Sequence, residues 1–402
     1  MSSDRPLDGV RILALEQMQA LPFATQLLAR LGAEVVKVEP IRGESGRAST
    51  PAMLDPEGRP VGATFLRNNL NKRSVCIDLR SSEGRDLVLG MAPNFDVVAE
   101  NSKAGSMAKL GLGYDDLAAV HPGVIYVSVS GFGNTVDTPY SGWPAYASIV
   151  EGMSGIYELR KRPGEAPRAN PVGALGDISA ALFATIGILA ALRHRERTGR
   201  GQHVDVAMLD AVVAMTDIVA NFWSMGLRDG GLGAVLLDTF AADDGWFTLQ
   251  VGREEHFARL AEVVGHPEWV GDERFATRQG WVEHLDGVLR PGIEEWARGR
   301  TKFEVCAVLG DAGLASGPCL SPGEVVADEH LRARNMLVAM ERSDGVAEPI
   351  LVPGNPVKLS DVPERPDQRV PWVGEHTDAT LRAELGLSDD ELARLRAAGT
   401  IS

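Results

Sequence analysis

Val10-Arg11-Ile12-Leu13-Ala14-Leu15, the run from Pro22 to Leu31, and Gly32-Ala33-Glu34-Val35-Val36-Lys37-Val38 together decide the fold class. The first is a short apolar strand. The second repeats apolar residues at helical spacing, with Pro22 tolerated in its first turn, and Gly32 stops it before a second strand begins. This is a βαβ unit, and the crossover length suits parallel pairing. The pattern recurs downstream: a strand over Ser74 to Leu79, a helix over Ser82 to Met91, a strand over Val97 to Ala99, then a short helix and a strand over Val124 to Val129. An α/β fold with a Rossmann-like layered sheet follows.

Farther along, Ile178 to Arg197 is Ala- and Leu-rich and ends in a basic turn before Gly199, which predicts a buried helix. Gln202 to Val206 reads as a strand feeding a second apolar helix from Ala207 to about Met225. Asp229-Gly230-Gly231-Leu232-Gly233 breaks the composition, and Asp243-Asp244-Gly245 between two β-rich runs signals a hairpin. Charged, Trp-containing helical segments run from Glu254 to about Val308. The expected organisation is a large domain over 1–228, a smaller α+β domain over 229–325, and a Pro-punctuated return to the large domain over 326–402. Thr377 to Ala398 has amphipathic helical spacing, with Ser388 a candidate cap.

The chain has 402 residues, 44% of them hydrophobic, and 40 Lys and Arg against 55 Asp and Glu, for a formal charge of −15. That balance excludes nucleic acid and an anionic membrane surface as default partners. The acidic excess is uneven: residues 41–110 carry ten basic and eight acidic side chains. Three scattered cysteines, Cys76, Cys306 and Cys319, form neither a disulfide framework nor a CxxC metal pair, which points to a reducing compartment. The N-terminus resembles no signal peptide, and no apolar run approaches the roughly 20 residues that span a bilayer. A cytoplasmic protein without a metal is expected.

Phosphate-loop, esterase-elbow and zinc motifs are absent, and the Gly-x-Gly pairs at Gly111 and Gly231 lack a dinucleotide-binding frame. Asp177 stands among small apolar residues at the start of the long helix. Local pattern alone reads it as an N-cap; the functional alternative is a partly desolvated carboxylate that small neighbours leave open to substrate. Arg42, Arg47, Lys72, Arg73, Arg80, Lys103 and Lys109 fall near predicted strand ends, where an open α/β sheet binds ligands, or are ordinary solvated loop charges.

Read as an ensemble, Leu7-Asp8-Gly9-Val10-Arg11-Ile12-Leu13, Gln19-Ala20-Leu21-Pro22, Leu31 to Glu39, Asn71-Lys72-Arg73-Ser74, Ser130-Gly131-Phe132-Gly133, Gly176-Asp177, Arg197 to Gln202 and Gly374-Glu375-His376-Thr377 resemble the landmarks of the class III (CaiB/BaiF) CoA-transferases, in order and over nearly the whole chain. The resemblance implies a large CoA-binding domain, a small domain, and an interlocked, ring-like homodimer. It implies an acyl-CoA thioester and a carboxylic acid as partners, with coenzyme A entering as substrate and nothing bound covalently at rest. Asp177 matches the catalytic aspartate. Gln19 and Ala20 match a CoA-contacting segment; Arg42, Ile77, Asp78, Leu79, Arg80, Asn101, Ser102, Lys103 and Lys109 match positions that hold the CoA nucleotide and phosphates; Tyr146 matches a position beside the thioester.

Racemases of the same family resemble one another in a Gly-His-Asp motif, and aligning on Ser154-Gly155 puts Tyr146 at the His position. A tyrosine with an ordinary pKa of about 10 is poorly suited to taking a carbon-bound proton near neutrality. A transferase working through aspartyl anhydride and aspartyl-CoA thioester intermediates is therefore expected. A 2-methylacyl-CoA racemase and a non-catalytic CoA-binding protein are the alternatives. Oxalate-using members carry a run of consecutive glycines that this chain, with only Gly230-Gly231-Leu232-Gly233, does not reproduce, so oxalate is not the implied acceptor.

Overall fold

The computed structural model describes residues 5–158, 164–169, 173–216, 218–226 and 235–402. The chain divides into two compact units, 1–221 with 332–402, and 222–331.

The first unit is built on β1 (Arg11–Leu15), α1 (Ala20–Arg30), β2 (Glu34–Glu39), a small hairpin of β3 (Ala52–Leu54) and β4 (Pro60–Gly62), α2 (Ala63–Asn68), β5 (Lys72–Cys76), α3 (Ser82–Met91), β6 (Val97–Glu100), α4 (Ser106–Lys109), α5 (Tyr114–Val120), β7 (Ile125–Ser130), α6 (Ala147–Met153), α7 (Leu175–Thr198), β8 (Gln202–Ala207) and α8 (Met208–Ala214). Six strands form one parallel sheet in the order β5-β2-β1-β6-β7-β8. Counted within that sheet the order is 3-2-1-4-5-6, the doubly wound arrangement whose ligands bind beyond the carboxyl ends of the strands.

Strand alternation supplies both faces of the core. Ile12, Ala14, Val35, Val97 and Val127 pack against Leu21, Ala24 and Leu28 of α1 and Ala180, Ala184 and Ile188 of α7. Leu13, Val36, Val75, Val98 and Tyr126 face α3 and the C-terminal residues Leu381, Leu392, Leu395 and Ile401. The chain end thus closes the second face of the sheet.

The second unit carries β9 (Leu236–Ala242) and β10 (Gly245–Val251), joined by the predicted Asp243-Asp244 turn, and β11 (Ala315–Pro318), all antiparallel. Its helices include α9 (Glu254–Val263), α10 (Arg278–Glu283), α11 (Arg290–Ala297) and α12 (Lys302–Asp311), around a core in which Phe257 and Trp281 stack at 4.5 Å. After α13 (Pro322–Ala327) and α14 (Glu329–Ala333), the chain adds the β12 (Leu337–Met340) and β13 (Ile350–Pro353) ribbon, then α15 (Thr377–Leu385) and α16 (Asp389–Ala397).

Several expectations shift. The strand read at Ser74 to Leu79 lies over Lys72–Cys76, because Lys72 is a buried strand residue that a hydrophobic pattern does not flag, and Ile77 bridges to Ile401 instead. The helix expected from Ala207 to Met225 ends at Ala214, and a π-helical turn follows over Ile218–Phe222. The single C-terminal helix is two, divided at Gly386, whose φ of 68° ends α15; Ser388 caps α16 in a reciprocal capping box with Glu391. The composition break at Asp229 to Gly233 lies outside the described residues. The expectation that no apolar run spans a bilayer's length is corrected by α7, 24 residues with a mean hydropathy of 1.9 over its most apolar window. In this fold it is a core helix: one side packs on α1, α8 and β8.

Candidate functional site

The site grows from the close approach of α6 and α7. A Cβ built on Gly176 would lie 2.8 Å from Val150 Cγ2 and 3.0 Å from the Ala147 Cα, so only glycine lets the two helices start in contact. The N-cap of α7 is Ala174, in the left-handed region (φ 50°) and without a side-chain cap bond. The first-turn amide of Gly176 is taken by Glu151 of α6, whose Oε1 accepts it at 3.0 Å. Asp177 is consequently not the N-cap that local pattern suggested, since the helix begins at Leu175 and another carboxylate does the capping.

Asp177 lines a cleft of about 280 Å³ with Gln17, Met18, Ala20, Asn101, Ser102, Lys103, Phe132, Trp143, Tyr146 and Met208. Among the described residues its carboxylate has neither a hydrogen bond nor an ion pair. Burial, and secondarily the charge of Glu151, pushes its pKa up to about 6. At neutral pH it is still mostly ionised, yet more basic than an ordinary aspartate, a combination that suits a carboxylate nucleophile.

A second groove, of about 480 Å³, is lined by Arg42, Ile77, Asp78, Leu79 and Arg80, and it shares Gln17 and Ser102 with the cleft. The strand ends of β1, β2 and β6 and the turn after β5 thus deliver most of the predicted residues to two neighbouring cavities that share Gln17 and Ser102 as wall, Arg42 and Arg80 lining one and Asp177 the other. Asn101 fixes the junction: its side chain accepts from the Gln17 amide and donates to the Gln17 carbonyl, both at 2.9 Å.

Not every predicted residue reaches those cavities. Gln19 is the N-cap of α1, and the residues lining the cleft are its neighbours Gln17, Met18 and Ala20. Lys109 is exposed at the end of α4 and lines neither cavity. Tyr146 lines the cleft and is 77% exposed. Two basic residues read as candidate ligand holders are internal. Lys72 Nζ bonds Glu16 Oε1 at 2.7 Å, the Pro22 carbonyl and Asn69, and Arg47 pairs with Glu39 while lying over the Phe65 ring. Neither presents its charge to a ligand.

This internal network shapes the cleft wall. Lys37, fully buried, donates to the Glu16 carbonyl at 3.0 Å, and Glu44 accepts from the Met18 amide at 3.0 Å, pinning Met18 at a φ of 62° that non-glycine residues rarely adopt. Sequence reasoning missed Gln17, Met18 and Glu151. The signal for Glu151 was present as a lone carboxylate inside an apolar helical turn, Ile149-Val150-Glu151.

Comparison with known proteins identifies the family of the chain. Residues 7–377 match the family described as CoA-transferase family III. The chain is 34% identical to the succinyl-CoA–D-citramalate CoA-transferase of Chloroflexus aurantiacus, covering 98% of this chain and 97% of that protein. It is 34% identical to the succinate–glutarate CoA-transferase of Agrobacterium fabrum, over 94% and 96% of the respective chains. The crystal structure of a CaiB/BaiF family protein from Brucella suis superposes with a TM-score of 0.82 at 34% identity, covering 95% of this chain and 99% of that one.

Proposed function

The chain belongs to CoA-transferase family III and transfers CoA between acids; from that premise we propose that Asp177 carries the transfer covalently, with succinyl-CoA as donor and a dicarboxylic acid as acceptor. The observation that carries the reading is a desolvated Asp177 without a cation partner among the described residues, in a cleft that shares Gln17 and Ser102 with the groove that holds Arg42 and Arg80. Those guanidinium groups suit the CoA phosphates, and Lys103 and Asn101 line the cleft.

In the first step the Asp177 carboxylate attacks the donor thioester carbonyl and expels CoA thiolate, forming a mixed anhydride. The thiolate then attacks the aspartyl carbonyl and displaces the donor acid, leaving an aspartyl-CoA thioester. The acceptor carboxylate repeats the sequence in reverse: it expels the thiolate to form a new anhydride, and thiolate attack on the acceptor carbonyl releases the new thioester and regenerates Asp177. Water must be excluded throughout, and Phe132, Trp143 and Met208 supply apolar cleft walls. The dicarboxylate preference rests on the named substrates of the relatives above.

The working form we propose is a homodimer of interlocked chains. Leu182, Ile186 and Leu189 make an exposed apolar stripe on α7, with Ile186 61% exposed. Light scattering should give the mass of two chains.

The chemical test incubates the protein with succinyl-CoA and with a panel of other thioesters, traps with hydroxylamine or borohydride, and maps the peptide containing Asp177 by mass. Modification at Asp177 with at least one donor is expected. An unmodified peptide with every productive donor overturns the anhydride route. Exchange of the α-proton into solvent without an adduct would mark a racemase.

A further inference from the structure

Glu151, whose Oε1 is bonded to the residue before Asp177, is a buried carboxylate that the reaction above does not use. It is 2% exposed. Its Oε1 holds the Gly176 amide and its Oε2 accepts from the Tyr157 hydroxyl at 2.8 Å. No cation pairs with it among the described residues. Its bonds therefore tie α6, the turn after it and the start of α7 together, one residue before the nucleophile.

We propose that Glu151 is a positioning residue acting through Asp177: it takes the helix-terminal amide that Asp177 would otherwise cap, leaving the Asp177 carboxylate free in the cleft beside a second, uncompensated negative charge. This rests on the reading of Asp177 as nucleophile. A carboxylate in the first turn of a helix ordinarily folds back onto free amides and becomes less basic by doing so. With the Gly176 amide already satisfied, that competing interaction is removed, and the neighbouring charge disfavours ionisation further.

The other ionisable groups facing this corner do not offset Glu151. Lys103 and Tyr146 line the cleft, and the elements packed on α7 carry His203 and Asp205 on β8 and Asp210 on α8. The single charged side chain of α1, Arg30, is tied to Asp367. Asp205 is occupied by the amides of Asn134 and Thr135. Among these groups it is the charge of Glu151 that acts on Asp177, after burial itself.

Glu151→Gln is the decisive variant, because it removes the charge while keeping an oxygen for the Gly176 amide, with the new amide nitrogen donating to the Tyr157 oxygen where Glu151 Oε2 accepted from it. The rate of adduct formation at Asp177 is measured against pH. The parent should lose activity as pH falls through about 6. In Glu151→Gln that acid limb should move down by about half a unit or more, with a plateau rate lower by roughly threefold. Glu151→Ala should lose more, and Gln should restore part of the loss. Superimposable acid limbs for parent and Glu151→Gln overturn the inference.

A second readout is independent of turnover. The stability difference between each protein and its Asp177→Asn counterpart, followed from about pH 4 to pH 8, reports the Asp177 titration directly. Its midpoint should be lower in the Glu151→Gln background, and an unchanged midpoint overturns the inference even if no adduct is found. Absence of any adduct with every thioester would overturn the transferase reading of Asp177 while this second measurement still decides the role of Glu151.

Discussion

Glu16 and Glu39, at the ends of β1 and β2, and Asp177, at the start of α7, are all carboxylates withdrawn from water, and they titrate in opposite directions. Burial alone would raise all three. At Glu16 it is overruled by Lys72 and Lys37, and at Glu39 by Arg47, so both stay below the usual carboxylate range. Among the described residues Asp177 has no such cation, and the charge that acts on it is that of a second carboxylate, so its pKa rises to about 6. Depth of burial therefore does not set the direction in which these carboxylates shift; partner supply does. The paired carboxylates hold the strand ends and the Met18 turn in place, and the unpaired one faces the cleft.

The largest expected effect comes from deleting the unpaired group. Asp177→Ala should lower CoA transfer by a factor of at least about 10⁴, equivalent to about 5 kcal/mol of barrier, with CoA binding retained. Turnover and calorimetric CoA titration check both halves, and lost CoA binding would contradict the role assigned. Breaking the paired region should instead cost stability. Lys72→Met removes a cation that Glu16 depends on, and urea unfolding at neutral pH should show a loss of about 3–5 kcal/mol. Because the folded Glu16 pKa lies below its ordinary value, the stabilisation is present above about pH 4.5 and is lost as pH falls through the folded value. The penalty of Lys72→Met should shrink in that acid range; a loss that persists there unchanged would contradict the pairing.

Asp177→Asn should show the reverse sign. A folded pKa raised from 3.8 to about 6 means ionisation opposes folding at neutral pH and ceases to do so below about pH 4. Linkage sets an upper bound of about 3 kcal/mol, and solvent in the cleft reduces it to about 1–2 kcal/mol of stabilisation at pH 7.5. A destabilised variant at neutral pH would place Asp177 with the paired group after all. The smallest effect sharpens the contrast between helix starts. Ser388 caps its own helix in the ordinary way, so Ser388→Ala should cost about 1 kcal/mol in thermal or urea unfolding, with no change in transfer.

The layered sheet was legible because alternation and helical spacing are local properties. β1, α1, β2, α3 and the Asp243-Asp244 hairpin fall close to where spacing put them. Where the reading slipped at β5, a polar residue was doing the work of an apolar one. Lys72 fills a strand position through Glu16, a partner 56 residues away, and no window of sequence contains both ends of that bond. The site was legible in part for a related reason. Asp177, Arg42, Ile77 to Arg80 and Asn101 to Lys103 belong to recognisable segments, whereas Glu151 matters through contact with Gly176, 25 residues later.

The family resemblance marked Asp177 as the candidate nucleophile against a local pattern that reads as an N-cap; by itself the sequence determined the order of strands and helices around the parallel sheet and the locally basic 41–110 segment within an acidic chain. These depend on residue type and near-neighbour spacing, which folding does not alter. Only the tertiary structure decided which charges are spent inside and which face a ligand. Arg47 and Lys72 went inward, Arg42 and Arg80 remained on the groove, and Asp177 was released from capping by Glu151. The physical reason is that charge state and availability are set by desolvation and by partners brought within about 3 Å, and those partners come from distant parts of the chain.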